Sequence, residues 1–188
     1  MAVTHQMVGL LAALWLAAQF PVSLGPGLSV LALVAVMAGA LTPDLDQPTA
    51  NMWKKMLGAR ALGNIFQAFS GGHRHMTHSL VGILAIGALF YYLINTFLRL
   101  EFIPPARIAW IAFMIGYISH PIADTLTDRG VPWLWPFNIH FKIPPGPEEV
   151  RVTTGSFVEN LLVRGGLIIA ALFLLTQKWG TYLSILSG

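Results

Sequence analysis

Five apolar stretches dominate this chain, running from about Thr4 to Phe20, Leu28 to Leu41, Ser79 to Leu98, Ile108 to Ala123 and Leu161 to Thr176. A bilayer core of ~30 Å needs ~20 helical residues, with a working range of ~17–25. The third stretch is long enough as it stands, and the fourth and fifth need only a modest extension. The first two are short and read as tilted hairpin helices, or as spans whose ends dip below the headgroups. Backbone polar groups in lipid must find partners inside their own segment, so each stretch is expected to be a helix. Of 188 residues, 55% are hydrophobic and only 10% charged, where a soluble domain carries about a quarter charged. The expected fold is all-α: one domain over 1–188, a polytopic membrane bundle of about five transmembrane helices.

Two alternatives are set aside by the same composition. The first twenty residues lack a basic leader, and they run through Pro21 and Gly25-Pro26-Gly27 into a second apolar stretch. That pattern predicts a retained helical hairpin and not a cleaved signal peptide. The net charge of +3 is spread thinly, with no basic run longer than Lys54-Lys55. It suits anionic lipid headgroups and not nucleic acid. The chain has no cysteine, which excludes disulfides and thiolate metal ligands.

Counting crossings sorts the polar residues. If all five stretches span, His5 opens the first, Asp44 and Asp46 follow the second, and His73, His75 and His78 precede the third. His120 and Asp124 then close the fourth, and all of these converge on one membrane face. The same face holds Lys54, Lys55, Arg60, Arg74, Arg129, Lys142, Arg151 and Arg164, against Arg99, Arg107 and Lys178 opposite. Loops rich in Lys and Arg stay in the cytoplasm, so the histidine-bearing face is expected to be cytoplasmic.

Three motifs on that face suit a cation. In "SHPIAD", His120 and Asp124 stand four apart, so a helix presents both from one side. Simple exposure to headgroups would explain them equally well, and Pro121 between them would kink a helix interior. In "TPDLDQP", Asp44 and Asp46 would point the same way if the segment is extended. They suit zinc beside imidazole, or else cap a turn between prolines. In "GGHRHMTHSL", Thr77 reads as a helix N-cap with His78 in the first turn, where imidazolium is disfavoured. His73, Arg74 and His75 fall in the loop before it. Trp133 and Trp135 in "VPWLWPF" read as an interfacial aromatic belt or a substrate lining. Gly165-Gly166 is expected to permit close helix packing. His140 and Glu159 are weaker candidates for the edge of the site.

The succession His5, P-D-L-D, H-R-x-x-T-H-S, S-H-x-x-x-D, W-x-W-P resembles the YdjM-like family of membrane-bound, metal-dependent hydrolases. The likeness covers His5 to about Phe137. More distantly, the order of residues is similar to the zinc-dependent phospholipase C and single-strand nuclease superfamily. The resemblance implies one zinc held by an Asp of the P-D-L-D pair, His78, His120 and Asp124, with Asp124 bridging to a second metal on His5. That superfamily's N-terminal tryptophan ligand is absent, as are most of its further histidines, which implies one or two divalent ions (Zn, with Mn or Mg as alternatives).

The function expected on these grounds is a zinc-type hydrolase of phosphoester bonds in lipids or lipid-linked phosphates at the inner membrane. Asp46 would be the aspartate ligand beside His5, His78, His120 and Asp124. Asp44, Arg74 and His75 would serve catalysis, with Arg74, Arg129, Lys142, Trp133 and Trp135 binding substrate. The competing expectation is a non-catalytic membrane anchor or regulator with a structural metal, binding a cytoplasmic protein. A transporter fits less well, because its ionisable residues belong near mid-membrane.

Overall fold

The computed structural model describes residues 2–46, 75–97, 103–147, 149 and 151–187. Its helices are α1 (Ala2–Gln19), α2 (Gly25–Leu41), α3 (Leu80–Phe97), α4 (Ile103–Thr125), α5 (Arg164–Gln177) and the short α6 (Trp179–Leu186). Among the described residues, five apolar segments are long enough to cross a membrane: Ala2–Gln19, Gly25–Asp46, Leu80–Phe97, Pro105–Thr125 and Glu159–Gln177. The expected all-α polytopic bundle is the fold. Among the described residues the only β pairing is two isolated bridges, Thr127 with Val152 and Val131 with Phe141.

Helices α2 and α4 form the closest pair, and α1 packs across both. Water does not drive such helices together in lipid, so close backbone approach must supply the contact energy. Two glycines make that approach possible. A Cβ on Gly39 would lie 2.0 Å from the Phe113 carbonyl oxygen, and one on Gly116 would lie 2.0 Å from the Val36 carbonyl oxygen. Each glycine therefore meets the opposite helix with a Cα hydrogen, the weak C–H···O contact typical of tight helix crossings. Ala35, Val36, Ala109, Ala112, Phe113 and Tyr117 close the core around them, with Ile83 from α3. Trp110 Nε1 donates to the Gly87 carbonyl at 2.9 Å, tying α4 to α3.

Several local expectations are corrected. Gly165 and Gly166 face open space, with nothing within 4 Å of an added Cβ; the packing glycines are those of α2 and α4. Helix α4 begins at Ile103, ahead of the apolar stretch that starts at Ile108. Its Pro104 and Pro105 fall in the first turn, where backbone N–H groups have no helical acceptor to lose. The cap of α3 is Ser79, whose Oγ accepts from the Gly82 N–H at 3.2 Å. Thr77 and His78 lie just before it in a 3-10 turn, Met76–His78. Asp44 and Asp46 likewise sit on a 3-10 turn, Pro43–Asp46, and not in an extended segment. The two carboxylates therefore diverge, which matters at the site.

Candidate metal centre

Four separate chain segments deliver polar side chains to one end of the bundle. His5 comes from the first turn of α1, Asp44 and Asp46 from the turn after α2, His78 from the turn before α3, and His120 and Asp124 from the last turns of α4. Burial is nearly complete, with Asp46, His78 and His120 at 0% exposure, Asp124 at 1% and His5 at 5%. Of the residues expected to converge, His5, Asp44, Asp46, His78, His120 and Asp124 do so.

The packing fixes how each ring is turned. His120 Nδ1 lies 2.7 Å from the Ala40 carbonyl oxygen. A carbonyl only accepts, so Nδ1 carries the proton and Nε2 presents its lone pair inward. The Gly39–Gly116 crossing is what sets Ala40 against that ring. Thr77 Oγ1 gives its proton to Asp46 Oδ2 at 2.6 Å, and His78 Nδ1 lies 3.0 Å from the same hydroxyl. The hydroxyl has a lone pair left for an Nδ1–H, so His78 also turns its Nε2 lone pair inward. Tyr117 anchors this turn, donating its hydroxyl to the Thr77 carbonyl at 2.8 Å. Gly82 lets the turn settle on α3, since a Cβ there would lie 2.0 Å from the Met76 carbonyl oxygen. Burial, opposed by the bond to Asp46, pushes the His78 imidazole below its ordinary value. The neutral form is the one a metal binds.

Three acceptors then meet at one point. His78 Nε2 and His120 Nε2 are 3.3 Å apart, and Asp124 Oδ2 is 3.5 Å from each. With Nδ1 of each ring bonded outward, the two Nε2 atoms face one another and Asp124. Two imidazole nitrogens and a carboxylate oxygen this close together are suited to holding a cation among them. Asp44 Oδ1 adds a fourth donor, 3.6 Å from His120 Nε2. Asp44, His78 and His120 form one group suited to a metal ion, and His5, His120 and Asp124 form another. His5 stacks on His120 with ring centroids 3.6 Å apart and planes within 13°. Its Nε2 faces the other oxygen of Asp124, Oδ1, at 3.4 Å. Asp124 thus turns one oxygen toward His78 and His120 and the other toward His5.

The structure places the other expected residues as follows. His75 is half-buried at the start of the 3-10 turn, and its carbonyl accepts from the His78 N–H at 3.3 Å. His73 and Arg74 lie outside the described residues. Arg129 and Lys142, with Asp128 and His140, line an open depression of about 520 Å³. Trp133 is half-buried and braces the loop: its indole donates to Thr125 Oγ1 at 3.0 Å, and its carbonyl accepts from the Leu80 N–H at 3.0 Å. Trp135 follows in a turn closed by its N–H on the Pro132 carbonyl. Glu159 is buried too, but against Thr4 and Gly155. Sequence reading missed Thr77, Tyr117 and the Ala40 carbonyl as the groups that orient the rings. Only the hydroxyl of Thr77, next to His78 in "THS", gave a signal.

A family model described as YdjM inner membrane protein matches residues 1–184. The chain belongs to this family. It is similar to the inner membrane protein YdjM of Escherichia coli (strain K12), with 39% identity over 107 residues, covering 55% of this chain and 48% of that protein. The inner membrane protein YdjM of Shigella flexneri matches to the same extent. The matched stretch thus spans about half the length of these relatives. No solved structure matches significantly. Family and spans together make this a multi-pass protein of the inner membrane.

Proposed function

We propose that this protein is a membrane-bound, metal-dependent phosphoesterase acting on phospholipid or lipid-linked phosphate. The observation that carries the reading is the meeting of His78 Nε2, His120 Nε2 and Asp124 Oδ2 within 3.3–3.5 Å, with both rings locked in the tautomer that points a lone pair inward. A tetrahedral zinc shell with bonds of ~2.0–2.1 Å has ligand atoms ~3.3–3.4 Å apart. An octahedral magnesium shell at ~2.0–2.1 Å brings neighbouring ligands to ~2.9–3.0 Å. The spacing favours zinc.

The divergence of the 3-10 turn favours Asp44 and not Asp46 as the aspartate ligand. Asp46 acts through Thr77 to hold His78, the outer-shell role that keeps a ligand imidazole in one tautomer. His78, His120, Asp124 Oδ2 and Asp44 make up four donors for one ion. His5 and Asp124 Oδ1 offer two donors to a second ion, which would keep open positions on that side. When bound, such ions supply Lewis acidity toward a phosphoryl oxygen and acidify a water to a pKa of about 7. In this reading Arg129 and Lys142 draw the headgroup phosphate to the depression they line and offset its charge. Arg74 and His75 belong to the approach in this reading, and Trp133 and Trp135 hold the loop at headgroup level. The basic loops favour a cytoplasmic site.

One observation favours a second reading. Four protein donors around one ion form the closed shell of a structural metal, as in a non-catalytic anchor or regulator. Metal analysis of protein purified in neutral detergent, followed by assay on phosphatidic acid, prenyl diphosphate and a soluble aryl phosphate, separates the two. Zinc at one or two per chain with turnover lost in His120→Ala supports the phosphoesterase. Bound metal without turnover on any substrate supports the structural reading. Wild-type protein without metal overturns both.

A further inference from the structure

A second polar group lies one residue away from the metal centre and takes no part in it. Glu159, 4% exposed, opens a π turn, Glu159–Val163, at the entry to α5. Its Oε1 accepts from Thr4 Oγ1 at 2.5 Å and its Oε2 from the Gly155 N–H at 2.5 Å. Arg164 closes the turn, with its backbone N–H on the Glu159 carbonyl. In an α-helix, side chains five residues apart diverge by about 140°. The i→i+5 bonding of the π turn instead sets Arg164 back over Glu159. Both side chains therefore reach the same residue of α1: Arg164 Nε donates to Thr4 Oγ1 at 3.0 Å.

The guanidinium is held but not saturated. Its Nη2 is 3.9 Å from Glu159 Oε1, far from the paired bonds of ~2.7–2.9 Å that arginine makes with an open carboxylate. Thr4 and Gly155 each take one Glu159 oxygen instead. Among the described residues, neither Nη group has an acceptor within hydrogen-bond distance. The side chain is 26% exposed, so an outside group can reach it. Thr4 and His5 are consecutive in the first turn of α1, one turned to α5 and the other to Asp124. The fork is therefore anchored about one residue, ~3.8 Å along the chain, from the His5 edge of the centre.

We propose that Arg164 is a substrate-binding residue that takes phosphate oxygens at the His5 edge, with Thr4 and Glu159 as the residues that position it. A planar fork fixed at Nε and open at both Nη atoms matches a phosphate in a way that a lysine point charge does not. The proposal deepens the metal-hydrolase reading by naming the group that recognises the phosphate, whether that phosphate arrives on a lipid or free in solution.

The test is calorimetric titration of zinc-loaded wild type, Arg164→Lys and Arg164→Gln, in neutral detergent, with inorganic phosphate and with dihexanoyl phosphatidic acid, alongside metal content. Arg164→Lys is expected to keep its metal and its unfolding midpoint while binding phosphate at least tenfold more weakly. Weakening for both ligands means the phosphate itself is recognised, and weakening for phosphatidic acid alone means a lipid headgroup is required. Unchanged binding in both variants, or no saturable binding by wild type, overturns the proposal, as does loss of metal in Arg164→Lys, which would make Arg164 a structural support. If wild type lacks metal yet binds phosphate through Arg164, the metal reading falls and this one stands.

Discussion

Replacing Gly116 with alanine tests whether the helix crossing builds the metal centre. The added Cβ would lie 2.0 Å from the Val36 carbonyl oxygen and 2.9 Å from the Ala40 nitrogen. Relief to an ordinary contact of ~3.2 Å needs α2 and α4 to part by more than ~1 Å, since neither atom is the end of a mobile side chain. The His120 Nδ1 bond to the Ala40 carbonyl, 2.7 Å across the same crossing, would lengthen past ~3.5 Å and cease to be a hydrogen bond. Overpacking costs about 1–3 kcal/mol, and the stranded buried donor adds about 1–3 kcal/mol. A loss of ~2–6 kcal/mol is expected in detergent-resisted unfolding, together with loss of bound metal, because the freed ring can rotate its lone pair away. Gly166→Ala is the control: nothing lies within 4 Å of its Cβ, and helix propensity predicts a gain of up to ~1 kcal/mol. Wild-type stability and full metal in Gly116→Ala would show that the crossing does not set the site.

Further outcomes follow from single contacts. Thr77→Val removes the hydroxyl between Asp46 and His78 and should weaken metal affinity about 10–100-fold, read by competition with a chelating dye. Gly82→Ala should also lower metal content, because its Cβ would displace the turn bearing His78; full occupancy would place that turn's support elsewhere. Ser79→Ala should cost ~1 kcal/mol of stability through the lost cap of α3, with metal content unchanged. The chain has no native cysteine, so single cysteines at Asn138 and Lys178 can be labelled in oriented vesicles. Asn138→Cys should react only from the cytoplasmic side and Lys178→Cys only from the other, and the reverse pattern would invert the orientation.

The clustering of the centre's side chains was legible because membrane topology sorts polar residues by face. If all five apolar stretches span, His5, His78, His120 and Asp124 share a face, and the packing then brings them together. The roles of Asp44 and Asp46 were not legible. Two-residue spacing puts them on one side of a strand, but the turn between Pro43 and Asp46 is 3-10, and a 3-10 turn spreads neighbours around its axis. Close packing was misread for a related reason. Gly165-Gly166 is conspicuous as a pair, whereas the contact is made by Ala35-x-x-x-Gly39 against Ala112-x-x-x-Gly116, a spacing that carries meaning only once two helices are known to cross. The π turn of Glu159 leaves no mark in residue identity at all, since it arises from where α1 presents Thr4.

The position of this centre at the helix ends follows from the cost of burying its parts. At mid-bilayer each carboxylate would have to be matched before any ion arrived, at a penalty of at least ~2.5–3.5 kcal/mol per charge. At the headgroup level, water near the mouth can meet these charges while the protein folds. What makes the arrangement specific is that the orienting acceptors are backbone or paired groups: the Ala40 carbonyl for His120, and the Thr77–Asp46 pair for His78. Neither can rotate to satisfy itself some other way. The two lone pairs therefore remain aimed at Asp124 whether or not an ion is present. A centre built this way should bind metal with little reorganisation, so circular dichroism and helix-proximity probes should barely change on metal removal while stability falls. A large structural change on chelation would mean that the ion, and not the Gly39–Gly116 crossing, organises this end of the bundle.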